Sequence, residues 1–370
     1  MKDINIATTI MERRKEKGIT QDQLAEYIGV SKSSVSKWET GQSYPDITFL
    51  PMLATFFNIS IDELMNYSPQ MTISDINTLY HHLAKAFSHR PFDDVLLECQ
   101  QVIKKYYSCF PLLLQMATLL LNHQMLASNE NVQKDILQQI IDLCQRIKSE
   151  SDDIWLAKQA NSIEAVCYMF LQEPDTILDL LSGALKPDQS DAIILANAYQ
   201  MAGQPPKAKE VIQISIYQHL MNMLGAFPSF LLLYADDNKK FDEILKRGII
   251  ILDGFKIESL NPNIALQIYH AAAHGYMTQN EHKKALNMLS IYADVCTKLF
   301  PVTHHGDAFF DAIDDWFLTF DLGVVVPRDE KVVKESILTD ITTNPAFAPL
   351  AKDLTYMNIV NTLKKKLGGI

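Results

Sequence analysis

Five cysteines in 370 residues, none spaced as CxxC, are too few and too scattered to frame a fold with disulfides. Cys99, Cys109, Cys144, Cys167 and Cys296 each sit inside an apolar helical pattern, which predicts buried, reduced thiols. Positive charge is also in deficit. Lys and Arg number 33 against 44 Asp and Glu, a formal charge of −11, so nothing in the overall field favours nucleic acid. Long hydrophobic runs are missing: the longest, around Pro111 to Leu121, is too short to span a bilayer. The N-terminal MKDINIATTIMERRKEKG has no continuous apolar core of a signal peptide. The expected location is therefore the cytoplasm, with no membrane partner. Strand-like alternation is absent apart from a brief VVV at 324–326, and without strands no strand–glycine loop–helix can cradle a phosphate. His270 and His274 have zinc-ligand spacing, but the glutamate of HExxH is missing and no third ligand stands nearby. No metal, no other cofactor and no catalytic group is expected, and the chain does not read as an enzyme.

What is present is helix after helix, with enough length for two or three domains. The most informative stretch is TQDQLAEYIGVSKSSVSKWETG, residues 20–41. Thr20 with Gln23 forms a capping box, which sets a helix start near Asp22. Leu24, Ala25 and Ile28 then fall on one face. Gly29 stands where a helix end needs positive φ, and Ser31 can cap a second helix. There Val35 and Trp38 point inward. At 100° per residue, Ser33, Ser36, Lys37 and Thr40 face the other way, flanked by Lys32 and Ser34. A face of small hydroxyls and lysines suits a major groove, because lysine donates to guanine edges or phosphate and serine does not block close approach. Residues 1–68 hold seven Lys/Arg against nine Asp/Glu, so any binding depends on clustering: Arg13, Arg14, Lys15 and Lys17 at the end of the first helix, Lys32 and Lys37 on the third.

Thr20-Gln21, Leu24-Ala25, Gly29-Val30-Ser31, Val35-Ser36-Lys37-Trp38-Glu39, Gly41, Pro45 and FFNISIDEL at 56–64 together resemble the XRE-type, Cro and phage-repressor-like helix-turn-helix domain. The resemblance covers about residues 5–66 and implies a five-helix fold. It also implies that Gln21 sits at a helix N-terminus on phosphate while Lys32, Ser33, Ser36 and Lys37 face base edges. With their neighbours, the candidate DNA contacts are Gln21, Lys32, Ser33, Ser34, Ser36, Lys37 and Thr40, plus Arg14 from the basic end of the first helix. The expected target is double-stranded DNA carrying an inverted repeat, read by a homodimer, because one small headpiece buries too little surface alone.

Periodicity lapses around Pro69, so the expected organisation is a DNA-binding domain over 1–66, a linker over 67–75 and a helical sensor and dimerisation domain over 76–370. Within the last, Ala196, Tyr199, Gly203, Ala208 and Ile212 recur in spacing as Ala273, Tyr276, Asn280, Ala285 and Leu289. Weaker copies begin at Ala165 and Leu231. The pattern resembles degenerate tetratricopeptide repeats, and the fold class expected is all-α, with the helix-turn-helix domain followed by an α-solenoid of helical hairpins. The aromatic run at 309–320 fits a buried helix carrying Phe309, Ile313, Trp316 and Phe320, or a dimer surface.

An XRE-type domain ahead of such repeats resembles the RNPP and Rgg-like peptide-sensing (quorum-sensing) regulators of Gram-positive bacteria. That resemblance implies a signalling peptide on the concave face, gripped by side chains able to pair with extended backbone. In the repeat register those positions are Gln159, Ser162, Asn197, Gln200, Gln267, His270, His274 and Met277, with Asn197 the leading candidate. The middle copy offers only Pro228 and Leu232. The competing reading is an adaptor whose repeats engage a protein partner, the helix-turn-helix serving localisation or control of its own gene.

Overall fold

The computed structural model describes residues 5–67, 70–183, 191–320 and 327–368. Among these the chain forms twenty α-helices, and extended pairing is limited to an isolated bridge at Thr303. The VVV at 324–326 and the polar break near 186 lie outside the described residues. Three separate hydrophobic cores divide the helices.

The first core is built by α1 (Ile6–Glu16), α2 (Gln21–Ile28), α3 (Lys32–Glu39), α4 (Leu50–Phe57) and α5 (Ile61–Met65) around Ile10, Leu24, Val35, Trp38, Leu53 and Leu64. Local chemistry sets nearly every boundary. Thr20 Oγ accepts from the Gln23 N–H at 3.2 Å and Gln23 Oε1 accepts from the Thr20 N–H at 2.8 Å, a closed capping box. Gly29 ends α2 at φ +82°, a conformation that costs glycine little. Ser31 Oγ then accepts from the Ser34 N–H and starts α3 one residue beyond the turn. Ser60 and Glu63 repeat the capping box ahead of α5.

The second core joins α6 (Ile73–His89), α7 (Phe92–Lys105), α8 (Phe110–His123), α9 (Glu130–Glu150) and α10 (Ile154–Leu171). Its centre is α8, with Leu112, Leu113, Leu114, Met116, Ala117, Leu119 and Leu120 all buried. The longest apolar run of the sequence is thus a helix surrounded by other helices. No helix among the described residues is long and apolar enough to cross a membrane. The segment leading into α6 is seated on the turn before α8, where Gln70 Nε2 donates to the Ser108 carbonyl at 3.1 Å.

After α11 (Pro174–Leu180) and α12 (Ala192–Met201) comes the third core. It is formed by α13 (Pro205–Leu233), α14 (Asn238–Gly254), α15 (Ile257–Leu260), α16 (Pro262–Thr278), α17 (His282–Lys298), α18 (Asp314–Leu318), α19 (Glu330–Thr343) and α20 (Leu354–Leu367). The repeats of the sequence reappear as one turn used three times. Gln172, Gly203 and Asn280 all adopt left-handed φ, at +61°, +72° and +61°. In each turn the next amide reaches back to the carbonyl of the repeated tyrosine: Glu173 to Tyr168 at 3.0 Å, Gln204 to Tyr199 at 2.8 Å and Glu281 to Tyr276 at 2.9 Å. The copy at Tyr234 turns differently, with the Asp237 N–H on the Tyr234 carbonyl. There α13 runs on for 29 residues, so one helix serves both as the second arm of one hairpin and the first arm of the next.

The aromatic run at 309–320 is not one helix. Asp307 Oδ1 accepts from the N–H groups of Phe309 and Phe310, and the Asp314 carboxylate accepts from Gly306, so a side-chain-bonded turn occupies its first half. Only Asp314–Leu318 is helical. Phe310, Ile313 and Phe317 are buried and Phe309 is exposed, which replaces the spacing expected from a continuous helix.

Candidate DNA-reading face and ligand cavity

A carboxylate beneath the outer surface holds α3 in place. Glu39, its side chain only 4% exposed, takes Arg14 of α1 bidentately: Nε to Oε1 at 2.5 Å and Nη2 to Oε2 at 2.9 Å. Gln21, the first residue of α2, donates to the same Oε2 at 2.9 Å. Three helices are therefore tied at one point, which fixes the angle at which α3 is presented. Burial pushes the Glu39 carboxyl up, but the hydrogen bonds from Arg14 and Gln21 outweigh it and hold it below the usual carboxylate range.

The candidate DNA contacts are not placed alike. Ser33, Lys37 and Thr40 are exposed on the outer face of α3, with Ser36 half-buried between them. Lys37 makes no ion pair among the described residues, so its ammonium is unneutralised at the centre of that face. Lys32 is tethered to Asp22 at 2.6 Å, but both side chains are about 60% exposed, and such surface pairs contribute little and release easily. Ser33 and Ser34 share hydrogen bonds with the Ser31 cap, which pins their hydroxyls near the start of α3. Gln21 keeps its second amide N–H beyond the one given to Glu39. Arg14 is turned inward: Glu39 and the Ile19 carbonyl take its guanidinium, so it braces α3 from behind and does not face outward. One neighbour escaped the sequence reading. The amides of Gln42 and Ser43 both fold back onto the Lys37 carbonyl, setting the following Tyr44, 69% exposed, at the C-terminal end of α3. Its only signal in the sequence is an aromatic in a turn that has no core to enter.

The repeat-register candidates separate. Gln267, His270 and His274 come together on α16 and, with Pro228 and Leu232 of α13, line a cavity of about 480 Å³. Its opposite wall is α19, through Val333, Ser336, Ile337 and Asp340. His270 Nε2 and Asp340 Oδ2 lie 2.7 Å apart across it. Burial raises the Asp340 carboxyl, but the hydrogen bond from His270 outweighs it and leaves it below its ordinary range. Gln159 and Ser162 on α10 and Asn197 and Gln200 on α12 are exposed and are not among that cavity's lining. Met277 is buried in the third core. The α19 wall was invisible from the repeats because it lies outside their register.

Comparison with known proteins bears most directly on the helix-turn-helix segment. Residues 10–64 match the family described as Helix-turn-helix, HTH_3. The HTH-type transcriptional activator BcrR of Enterococcus faecalis is 38% identical over 66 residues, 18% of this chain, and the match spans 32% of that activator's own length. The HTH-type transcriptional regulator SinR of Bacillus licheniformis is 32% identical over 98 residues, 25% of this chain and 88% of SinR. Among solved structures, Bacillus thuringiensis PlcR in complex with the peptide PapR7 and DNA aligns over 99% of this chain and all of PlcR, at 14% identity and a TM-score of 0.24. A superposition that loose assigns no role to any residue here. With the capping boxes and the Gly29 turn inside the matched residues 10–64, and SinR 32% identical over 88% of its own length, the chain belongs to the helix-turn-helix family of transcriptional regulators.

Proposed function

We infer that the chain is a dimeric, sequence-specific DNA-binding regulator whose affinity is set by a peptide bound in its helical region. In this reading residues 1–66 read the duplex, 67–75 link, and 76–370 sense and dimerise. The observation that carries it is the outer face of α3, four hydroxyls and two lysines held at a set angle by the buried Glu39. The chemistry is that of direct readout: Lys37 and Lys32 donate to base or phosphate acceptors, and the serines accept or donate at short range. The cavity between α16 and α19 supports ligand control, since it combines apolar walls with Gln267, His270 and Asp340.

Selection of bound duplexes from a random-sequence pool by the full-length protein tests the reading. An enriched inverted repeat is expected. On that duplex Lys37→Ala should weaken binding and lower the slope of log affinity against log salt by about 1. Wild-type affinity with an unchanged slope would remove Lys37 from the interface. A second reading, an adaptor with a protein partner, draws on Ile154, Trp155, Leu178, Ile193, Ile194 and Met201, all exposed between α10 and α12. A partner protein purifying in stoichiometric amount, with no enriched duplex, would favour it.

A further inference from the structure

The cavity between α16 and α19 does not stop at its own rim. Asn263, Gln267, Leu299 and Val333 also border a second hollow of about 560 Å³, so the two make one groove. Its floor is a single stripe of α16, with Asn263, Gln267, His270 and His274 recurring every three or four residues. The two ends differ in charge. One end holds Asp340. The other holds Arg328, just ahead of α19, beside the carboxamides of Asn122 and Asn261. His304 also lines that end, where burial and the adjacent His305 push its imidazole below its ordinary range. Among the described lining residues of that end, Arg328 is the one arginine or lysine, and no carboxylate stands with it.

Arg328 is half-buried, and burial pushes its guanidinium down against a smaller opposing pull from Tyr80. The neighbouring Asp329 is occupied as the cap of α19, accepting from the Lys331 N–H at 3.0 Å. A guanidinium in that position has given up water without a carboxylate among the described lining residues, and its planar fork matches a carboxylate bidentately. Twelve residues separate Arg328 from Asp340 along α19, roughly 18 Å at helical rise, which an extended peptide covers in about five residues.

We propose that the groove takes a short peptide in one direction only, its free C-terminal carboxylate on Arg328 and its N-terminal ammonium toward Asp340. Asn263 and Gln267 pair with the peptide backbone between. This rests on the reading of the helical region as peptide-responsive, and the test separates the two. A pool of random penta- and hexapeptides is made twice, as free acids and as C-terminal amides, and each is captured on the full-length wild-type protein and read by mass spectrometry. Acids should be retained at least about tenfold over the matching amides, as expected for a charge-assisted pair. Arg328→Gln should abolish the preference, and N-acetylation should lower capture by the wild type but not by Asp340→Asn. Equal capture of acids and amides by the wild type, which needs no variant to fold, would overturn the directional anchor and leave the peptide groove standing. Capture from neither pool would overturn both.

Discussion

Glu39 does two things that pull in opposite directions. It is buried, which disfavours its charge, and it accepts from Arg14 and Gln21, which require that charge. Removing it leaves the Arg14 guanidinium, 13% exposed, with the Ile19 carbonyl as its hydrogen-bond acceptor and no carboxylate against its charge. Breaking a pair of this kind costs about 3 kcal/mol. Glu39→Ala should thus lower hydrogen-exchange protection across residues 21–39 by about a hundredfold while amides of α16 and α17 keep theirs. Acid acts on the same bond. Because the folded pKa lies below the ordinary value of about 4.3, the stabilisation is complete above that pH and is lost as pH falls through the lower folded value. The headpiece melting temperature of the wild type should drop more steeply between pH 5 and 3 than that of Glu39→Gln. Parallel curves would show that Glu39 is not the group that titrates. The carboxylate's position on a polar-looking helix was legible in the sequence as part of SKWETG. That it faces inward, and takes Arg14 with it, was not, because a helical wheel assigns charged residues to solvent by default.

At the scale of elements, glycines separate what is local from what is not. Gly225 lies inside the long helix α13 with open space where a side chain would go, so Gly225→Ala should raise stability by about 0.5–1 kcal/mol through helix propensity alone. Gly275 in α16 has the opposite surroundings. A Cβ there would stand 2.2 Å from Cε2 of Phe241, a fully buried ring packed edge-on against Tyr276. Gly275→Ala should cost about 1–3 kcal/mol, because the ring has nowhere to move. Urea midpoints of the two variants should shift in opposite directions, and a neutral Gly275→Ala would mean that α14 and α16 pack less closely than described. Neither outcome follows from the sequence, where both residues are simply glycines within apolar helices. The repeated turns are different. Gly203 and Asn280 could be aligned by spacing because residues tolerant of positive φ are few. Gln172 shows that the turn geometry, once three hairpins share it, overrides residue type.

The whole molecule is three cores in series, and its unfolding should reflect that. Calorimetry of the full chain should resolve more than one transition, with a calorimetric enthalpy larger than the van't Hoff value. Glu39→Ala should move the headpiece transition and Gly275→Ala the one belonging to residues 217–367. One coincident transition, shifted equally by both, would show the cores to be coupled. Coupling of that sort is also what ligand control requires, since occupancy of the groove changes DNA affinity only by changing the balance of two states. The contact of Lys331 with the Ser88 carbonyl at 3.5 Å is one place where the first turn of α19 meets α6 of the second core.

What the sequence by itself determined is the set of features carried by neighbours in the chain: caps, glycine turns, helix boundaries, the face of α3 and the repeated hairpins. Each depends on hydrogen bonds or sterics within about four residues, so the residue string contains the whole cause. What only the tertiary structure decided is which side chains meet across distance. Arg14 reaches Glu39, α19 closes over α16, and Arg328 stands at one end of a groove whose other end is Asp340. Those pairings are selected by burial and packing of the whole chain, and a periodic pattern records only that a face is covered, not by what.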